Sequence, residues 1–489
     1  MGSNHVDVII VGAGGSGLAA AVSCGEQGLK TIVLEACPQT GGTTGIAVGS
    51  FTAAETEHQR KAGVRDSSSQ HAIDLANFAP KEIEKRNNTR AREFFTEHAA
   101  ETLEWLQSHG VKFVGPAPEP PNSQPRMHNV IPGAKAYVAK LQLAARKVNA
   151  RIQTHSTVTE LLIESGRVLG VEYQSQDGKR HQLFADRGVV LATGDYANNP
   201  ELIKRFKGPG YEKIEGINPH ACGLGHLLAE QAGANLVNMD VTYGPELRFI
   251  STSVRPFQQW LPVSGPLAAI QALLTRCLPD WIFKKIIKRL LVTWQHPESS
   301  LFDEGAILVN HNGQRFCNET CVQSRNLDVS NQPEGQAFIL LGPAQTQQFS
   351  NWPHFISTAP DIAYAYVDDY LRLRPDISYR ADNLLDLASL VTLPYENLKA
   401  TAEQAFESGD QGPWVILGPV KSYFTTTEGS AVINQAFQVM DRHNKVIPGL
   451  FAIGQCGLNG MILWSHGCHI AWAMTSGRLV GKSLWAKVT

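Results

Sequence analysis

Surplus charge is missing from this chain: 43 Lys and Arg stand against 45 Asp and Glu, a formal net charge of −2. A polyanion meets no global field of opposite sign, so nucleic acid is not an expected partner. Paired cysteines are missing too. The eight, at 24, 37, 222, 277, 317, 321, 456 and 468, make no CxxC pair and no CxxCH haem signature. Cys317 and Cys321 lack companion ligands at zinc spacing, so reduced thiols and no metal are expected. No apolar run approaches the length that spans a bilayer, and residues 1–5 carry neither the basic region nor the apolar stretch of a leader. A cytoplasmic protein is the expectation. Internal repeats and low-complexity tracts are also absent.

What is there begins at once. The run Val8-Ile9-Ile10-Val11 leads into Gly12-Ala13-Gly14-Gly15-Ser16-Gly17, and the next apolar run, Thr31-Ile32-Val33-Leu34, ends on Glu35, 18 positions after Gly17. The spacing predicts a strand, a phosphate-binding turn, a helix and a second strand. Gly12 permits the tight turn, Gly14 lets the backbone approach a pyrophosphate, Gly17 lets helix and strand pack closely, and Glu35 meets a ribose. The helix N-terminus turns oriented N–H groups toward the phosphates. A dinucleotide is expected here.

The 489 residues predict roughly two or three packed units. A glycine-rich polar loop, residues 41–45, follows the second strand. The pattern is helical over 74–109, with Phe94, Leu103, Trp105 and Leu106 apolar, until prolines at 116–125 break it. A helix over 133–149 leads to a β-meander, which closes on Val189-Val190-Leu191-Ala192-Thr193-Gly194-Asp195. From about 199 to 411 the texture changes to short mixed elements, read as an inserted domain. The nucleotide domain resumes with Ile447-Pro448-Gly449-Leu450-Phe451-Ala452-Ile453-Gly454 and a small-residue-rich helix over 467–484. The expected fold is α/β: a Rossmann-like domain built from both chain ends (1–205 and 412–489) with an α+β capping domain inserted (206–411).

Five ordered blocks resemble the fumarate reductase and 3-ketosteroid dehydrogenase superfamily of FAD enzymes. They are the Gly12–Gly17 turn with Glu35, Gly41-Gly42-Thr43-Thr44, Val190-Leu191-Ala192-Thr193-Gly194, the 447–454 block, and Val309-Asn310-His311-Asn312-Gly313-Gln314-Arg315-Phe316-Cys317-Asn318-Glu319. The resemblance implies pyrophosphate on Gly12, Gly14, Gly15, Ser16 and Gly17, and adenosine ribose on Glu35. It implies adenine by Val158, the flavin edge near Gly42, Thr43 and Thr44, further lining from Ala192, Thr193 and Gly194, and ribityl contacts at Gly454 and Gln455. Gln455 departs from the family's acid, yet its carbonyl accepts a ribityl hydroxyl. His466, Gly467 and His469 stand where the final helix begins beneath the flavin ring, in a capping and flavin-contact role, and that helix end favours anionic reduced flavin. No histidine lies in 45–50 for covalent attachment, so the FAD is expected to be noncovalent.

A flavin in such a fold exchanges hydride with a carbon while a protein group moves a proton at the neighbouring carbon. The family's proton-donating arginine, counted from Asn318, lands on Gln323, with Arg325 two residues on. Where the ketosteroid enzymes place a tyrosine, this chain has Val415, so Tyr423 and Tyr243 are the candidate phenols, and Gly418 the candidate backbone N–H for a ketone oxygen. Arg126 and His128 are candidate carboxylate clamps. Each of these side chains has an ordinary structural reading beside the catalytic one. Glu428-Gly429 stands in place of the family's Gly-Gly.

Residues 278–294 set apolar pairs at 282/283, 286/287 and 290/291 against basic pairs at 284/285 and 288/289, bracketed by Trp281 and Trp294. Two readings fit: a helix lying in a membrane interface at the inner face, or one packed on the cap. The first favours a lipophilic substrate. The expectation is therefore a dehydrogenase acting on the C–C bond beside a ketone in a steroid-like substrate, with a separate quinone or soluble electron acceptor. Its alternatives are an ene-reductase of small unsaturated carboxylates and a flavin-bound protein without turnover.

Overall fold

The computed structural model describes residues 4–250, 263, 288–289, 291–292, 296–359, 363–406 and 411–486. The strand His5–Val11 runs parallel to Thr31–Leu34 on one side and to Arg180–Leu191 on the other, with Val8 opposite Thr31 and Val11 opposite Leu191. Val8, Ile9 and Ile10 are fully buried. Both faces of this strand are therefore covered, which is why it reads as an unbroken apolar run. Arg151–Gln153 extends the sheet beyond Thr31–Leu34, and Val446–Ala452 joins parallel to Arg180–Leu191. Both ends of the chain thus build one layer. The predicted meander is present as Ser156–Glu164, Arg167–Ser175 and Arg180–Leu191.

The helix Gly15–Glu26 lies against the final helix, Cys468–Ala486. A Cβ on Gly477 would stand 2.4 Å from the Ser16 carbonyl oxygen, so the small residues of the last helix set how closely the pair approaches. The helical pattern over 74–109 is interrupted before its long helix, Thr89–Ser108, which starts where Asn88 accepts the Ala91 N–H at 3.2 Å. A small sheet missed from sequence, Ser50–Thr52 with Met127–Ile131 and Lys112–Ala117, takes up part of the proline-rich stretch.

The second layer is a mostly antiparallel sheet centred on Gln411–Phe424. Gln336–Leu341, Glu246–Phe249 and Ser378–Asn383 pair with that strand, and Ile307–Val309 pairs with Gln336–Leu341. The boundary expected at residue 412 therefore moves. Trp414 to Leu417, all fully buried, belong to the second layer, and the chain leaves it only after Phe424. Two short antiparallel ladders mark the crossing: Tyr243 opposite Thr426 with Thr242 opposite Thr427, and Leu236 opposite Ala431 with Val237 opposite Ser430.

Most of 278–294 lies outside the described residues. Of it, Leu291 and Val292 are buried in the second core, and Lys288 Nζ lies 2.9 Å from Asp369 Oδ2. Among the described residues, no helix is long and apolar enough to cross a membrane.

Candidate cofactor and active site

The glycine turn is built as a cradle. Gly12 has φ +101°, and a Cβ there would meet the Ala192 carbonyl at 2.6 Å; a Cβ on Gly17 would fall 1.9 Å from the Gly12 carbonyl oxygen. At Gly14 the nearest atom to an added Cβ is 4.0 Å away, which leaves open space on that side. No side chain caps the helix that starts at Gly15, so its first N–H groups are left for a ligand. Glu35 accepts the Ala13 N–H at 2.7 Å and the Cys37 N–H at 2.9 Å, which fixes its carboxylate at the end of the second strand. This donor and acceptor set fits a dinucleotide.

The other blocks converge on it. The Gly41 N–H donates to the Ala13 carbonyl at 2.9 Å, which brings Gly42, Thr43 and Thr44 beside the turn. Val158 is buried on its strand. Thr193 Oγ1 accepts the Gly225 N–H at 3.0 Å, and Cys456 Sγ donates to the Gly194 carbonyl at 3.1 Å. The Gly454 N–H donates to Ser476 Oγ at 3.0 Å, and Gln455 Nε2 donates to Thr426 Oγ1 at 3.1 Å and to the Thr427 carbonyl at 2.9 Å. The Gln455 carbonyl oxygen is the end left to accept. Gly467 has φ +84° and lies against Ser50, while the His466 carbonyl accepts Thr52 Oγ1 at 2.6 Å.

Where the two layers meet, Tyr243 stacks on Trp464 with ring centroids 5.2 Å apart and 25° between planes. Burial, with Glu246 adding to it, raises the Tyr243 phenol well above its ordinary pKa, and Arg248, Glu119 and Glu428 also act on it. Arg248 Nη2 donates to Glu246 Oε2 at 2.8 Å and to Thr425 Oγ1 at 3.3 Å. His296, under the influence of Glu246, Arg248, His466 and Arg325, is held below the ordinary histidine value by burial, and its Nδ1 is buried without a hydrogen-bond partner. Glu119 accepts Ser465 Oγ at 2.8 Å, the His466 N–H at 2.8 Å and His466 Nδ1 at 2.6 Å. That hydrogen bond raises the His466 pKa although its side chain is 64% exposed.

The FAD binding domain family matches residues 7–249 and 257–470. This chain belongs to that family. FAD is its cofactor, and the cradle described above is where it fits. Among relatives, the chain is 23% identical to the NADH:acrylate oxidoreductase of Vibrio harveyi over 92% of its own length and 47% of that protein's. It spans about half of that relative. Among solved structures, the open conformation of a flavocytochrome c3 fumarate reductase matches with a TM-score of 0.74 at 22% identity, covering 99% of this chain and 78% of that one. The 3-ketosteroid-Δ4-(5α)-dehydrogenase of Rhodococcus jostii RHA1, in complex with 4-androstene-3,17-dione, matches with a TM-score of 0.60 at 22% identity, covering 98% and 97%. At such identities the likeness is one of fold.

Several sequence-predicted residues of this flavoprotein are committed elsewhere. Arg126 is fully buried and spends its guanidinium on Asp66 at 2.7 and 2.8 Å, on Asp74 at 2.6 Å and on Asn122 at 2.9 Å, so no donor pair is left to clamp a carboxylate. His128 bonds Thr56 Oγ1 at 2.9 Å, and burial pushes its pKa down to about 4, which leaves it uncharged. The Gly418 N–H donates to the Ile377 carbonyl at 2.7 Å and does not reach a ketone. Tyr423, opposite Glu246 in the sheet register, has Glu215 as its charged neighbour. Arg325 stacks on Phe302 at 4.4 Å and donates to the Glu319 carbonyl at 2.9 Å inside the cap, with Nε unpartnered.

Sequence reasoning missed His296, Glu119, Glu246 and Arg248, none of which sits in a block of fixed spacing. Trp464 likewise went unassigned. Among the described residues no cluster of metal-ligating side chains occurs. All described cysteines are free, and Cys222 and Cys321 are exposed.

Proposed function

We propose that this flavoprotein removes, or in reverse adds, hydrogen across the C–C bond next to the ketone of a flat lipophilic ring substrate of the ketosteroid kind. The stacked Tyr243–Trp464 pair carries this reading. A carboxylate substrate needs several cationic donors to replace its hydration. Arg126 and His128 are spent elsewhere, Arg248 is paired with Glu246, and Arg325, which acts on His296, donates to the Glu319 carbonyl, so a cluster of free cations is not assembled. An aromatic wall instead suits a ring, at about 0.5–1.5 kcal/mol per stacked pair beyond area burial.

FAD, held noncovalently, supplies hydride exchange with carbon. The protein supplies the rest. Tyr243, kept protonated by burial, donates its O–H to the ketone oxygen and so acidifies the adjacent C–H. His296, kept neutral by burial, takes that proton on Nδ1, and the hydride of the neighbouring C–H would go to FAD when it is bound. A separate electron acceptor, a quinone or soluble carrier, would complete the cycle.

Anaerobic titration of the holoenzyme tests the proposal. Flat cyclic ketones or their enones change the flavin absorbance, and Trp464→Ala raises the concentration needed about tenfold, or ~1.4 kcal/mol. Fumarate-like or acrylate-like acids changing the flavin where every ketone and enone fails would assign the protein to the carboxylate reductases. Silence from all of them would leave a flavin-bound protein without turnover.

A further inference from the structure

Nothing above uses Glu428. It sits between the crossing strands Thr426–Thr427 and Ser430–Ala431, and its side chain is 0% exposed. His469 Nε2 donates to Oε1 at 2.9 Å. Oε2 is buried with no hydrogen-bond partner. A buried carboxylate oxygen with unmet lone pairs is costly, and native structures satisfy such atoms with a ligand when the protein itself does not.

The surroundings say which ligand. His469 lies in the first turn of the final helix, two residues after Gly467. The residue before Glu428 ties down the other cofactor blocks: the Thr427 N–H donates to Asp195 Oδ2 at 3.1 Å, directly after Ala192-Thr193-Gly194, and the Thr427 carbonyl accepts Gln455 Nε2 at 2.9 Å, directly after Gly454. Glu428 is thus hemmed in by the segments that fit the ribityl and ring portions of FAD. The ionisable groups that face it are His469, Tyr196 and Tyr243, with Asp195 acting on His469.

We propose that Glu428 and His469 form a charge-balancing pair of the FAD site, in which Oε2 accepts a hydrogen bond from an N–H or O–H of the flavin–ribityl portion and the two side chains set the reduction potential in opposite directions. Glu428 sets its carboxyl group where reduction adds negative charge, and the hydrogen bond from His469 draws electron density away from it. The pair is a positioning element that moves no proton to substrate. The inference rests on FAD being the cofactor and not on the ketone reading, so a failed substrate panel leaves it standing.

The experiment compares the reconstituted holoenzyme with Glu428→Gln and His469→Gln, reading midpoint potential by dye equilibration and FAD affinity by flavin fluorescence. Glu428→Gln is expected to retain FAD and shift the reduction equilibrium at least tenfold toward the reduced form, about 30 mV for two electrons. His469→Gln shifts it the other way. Opposite signs are the signature, because a merely structural loss would weaken FAD binding in both without dividing them. Potentials equal to that of the unaltered protein, or shifts of one sign in both variants, would overturn the proposal. If Glu428→Gln does not fold, the sign from His469→Gln decides: a negative shift supports it, and none or a positive one refutes it.

Discussion

His296 shows how one side chain acquires chemistry from its surroundings. Burial holds it neutral at a pH where an exposed imidazole begins to charge, and Nδ1 faces no partner. As the proton acceptor it should give kcat/KM for ketone dehydrogenation an acid limb below the ordinary histidine value of about 6.5. His296→Gln should remove that limb and lower kcat by about 10²- to 10⁴-fold. An unchanged pH profile would return the proton to another group. Arg126 is the opposite case. The sequence offered an arginine and a histidine close together and no sign of Asp66 and Asp74, which lie 60 and 52 residues away and take up the guanidinium. Burial alone would raise both carboxyls, but the hydrogen bonds from Arg126, and from Ser123 to Asp74, hold them below the usual carboxylate range. A residue type can be read from a chain, whereas its long-range partner cannot.

At the scale of elements, the first strand, turn and helix were legible because their geometry is local: backbone approach at Gly12 and Gly17 depends on residues a few positions apart. Gly17→Ala would force a Cβ to within 1.9 Å of the Gly12 carbonyl oxygen, so the turn must open. The purified variant should lose most of its flavin, read as the ratio of 450 nm to 280 nm absorbance; full retention would mean that the turn does not hold the cofactor. The strand Gln411–Phe424 entered the sequence reading only through Val415, Gly418 and Tyr423, and not as a member of a sheet. Its apolar run says that both faces are covered, and only the pairing of Val415 with Leu341 and of Leu417 with Ile339 reveals by what. The same limit applied to Gly418, whose amide is spent on Ile377, a residue far away in sequence.

The whole molecule carries a pH dependence written in its buried histidines. His71, His128 and His226 are pushed down to about 3, about 4 and about 4, burial being the first cause in each. An unfolded chain protonates these groups near pH 6.5, while the folded one refuses the proton until far lower pH. Stability therefore falls as pH drops from about 6.5 toward 4, by ~1.4 kcal/mol per pH unit for each histidine. His466, raised by Glu119, works the other way, but it is one largely exposed group whose effect solvent screens. Urea midpoints should drop clearly between pH 7 and pH 5, and equal midpoints would contradict the burial of these three rings.

The two crossing segments are bonded side by side, Tyr243 to Thr426 and Leu236 to Ala431, so they act as one two-ply strap. A strap flexes readily across its width and resists torsion. Any shift of one layer against the other would bend the ribbon in which Tyr243 and Glu428 are both set.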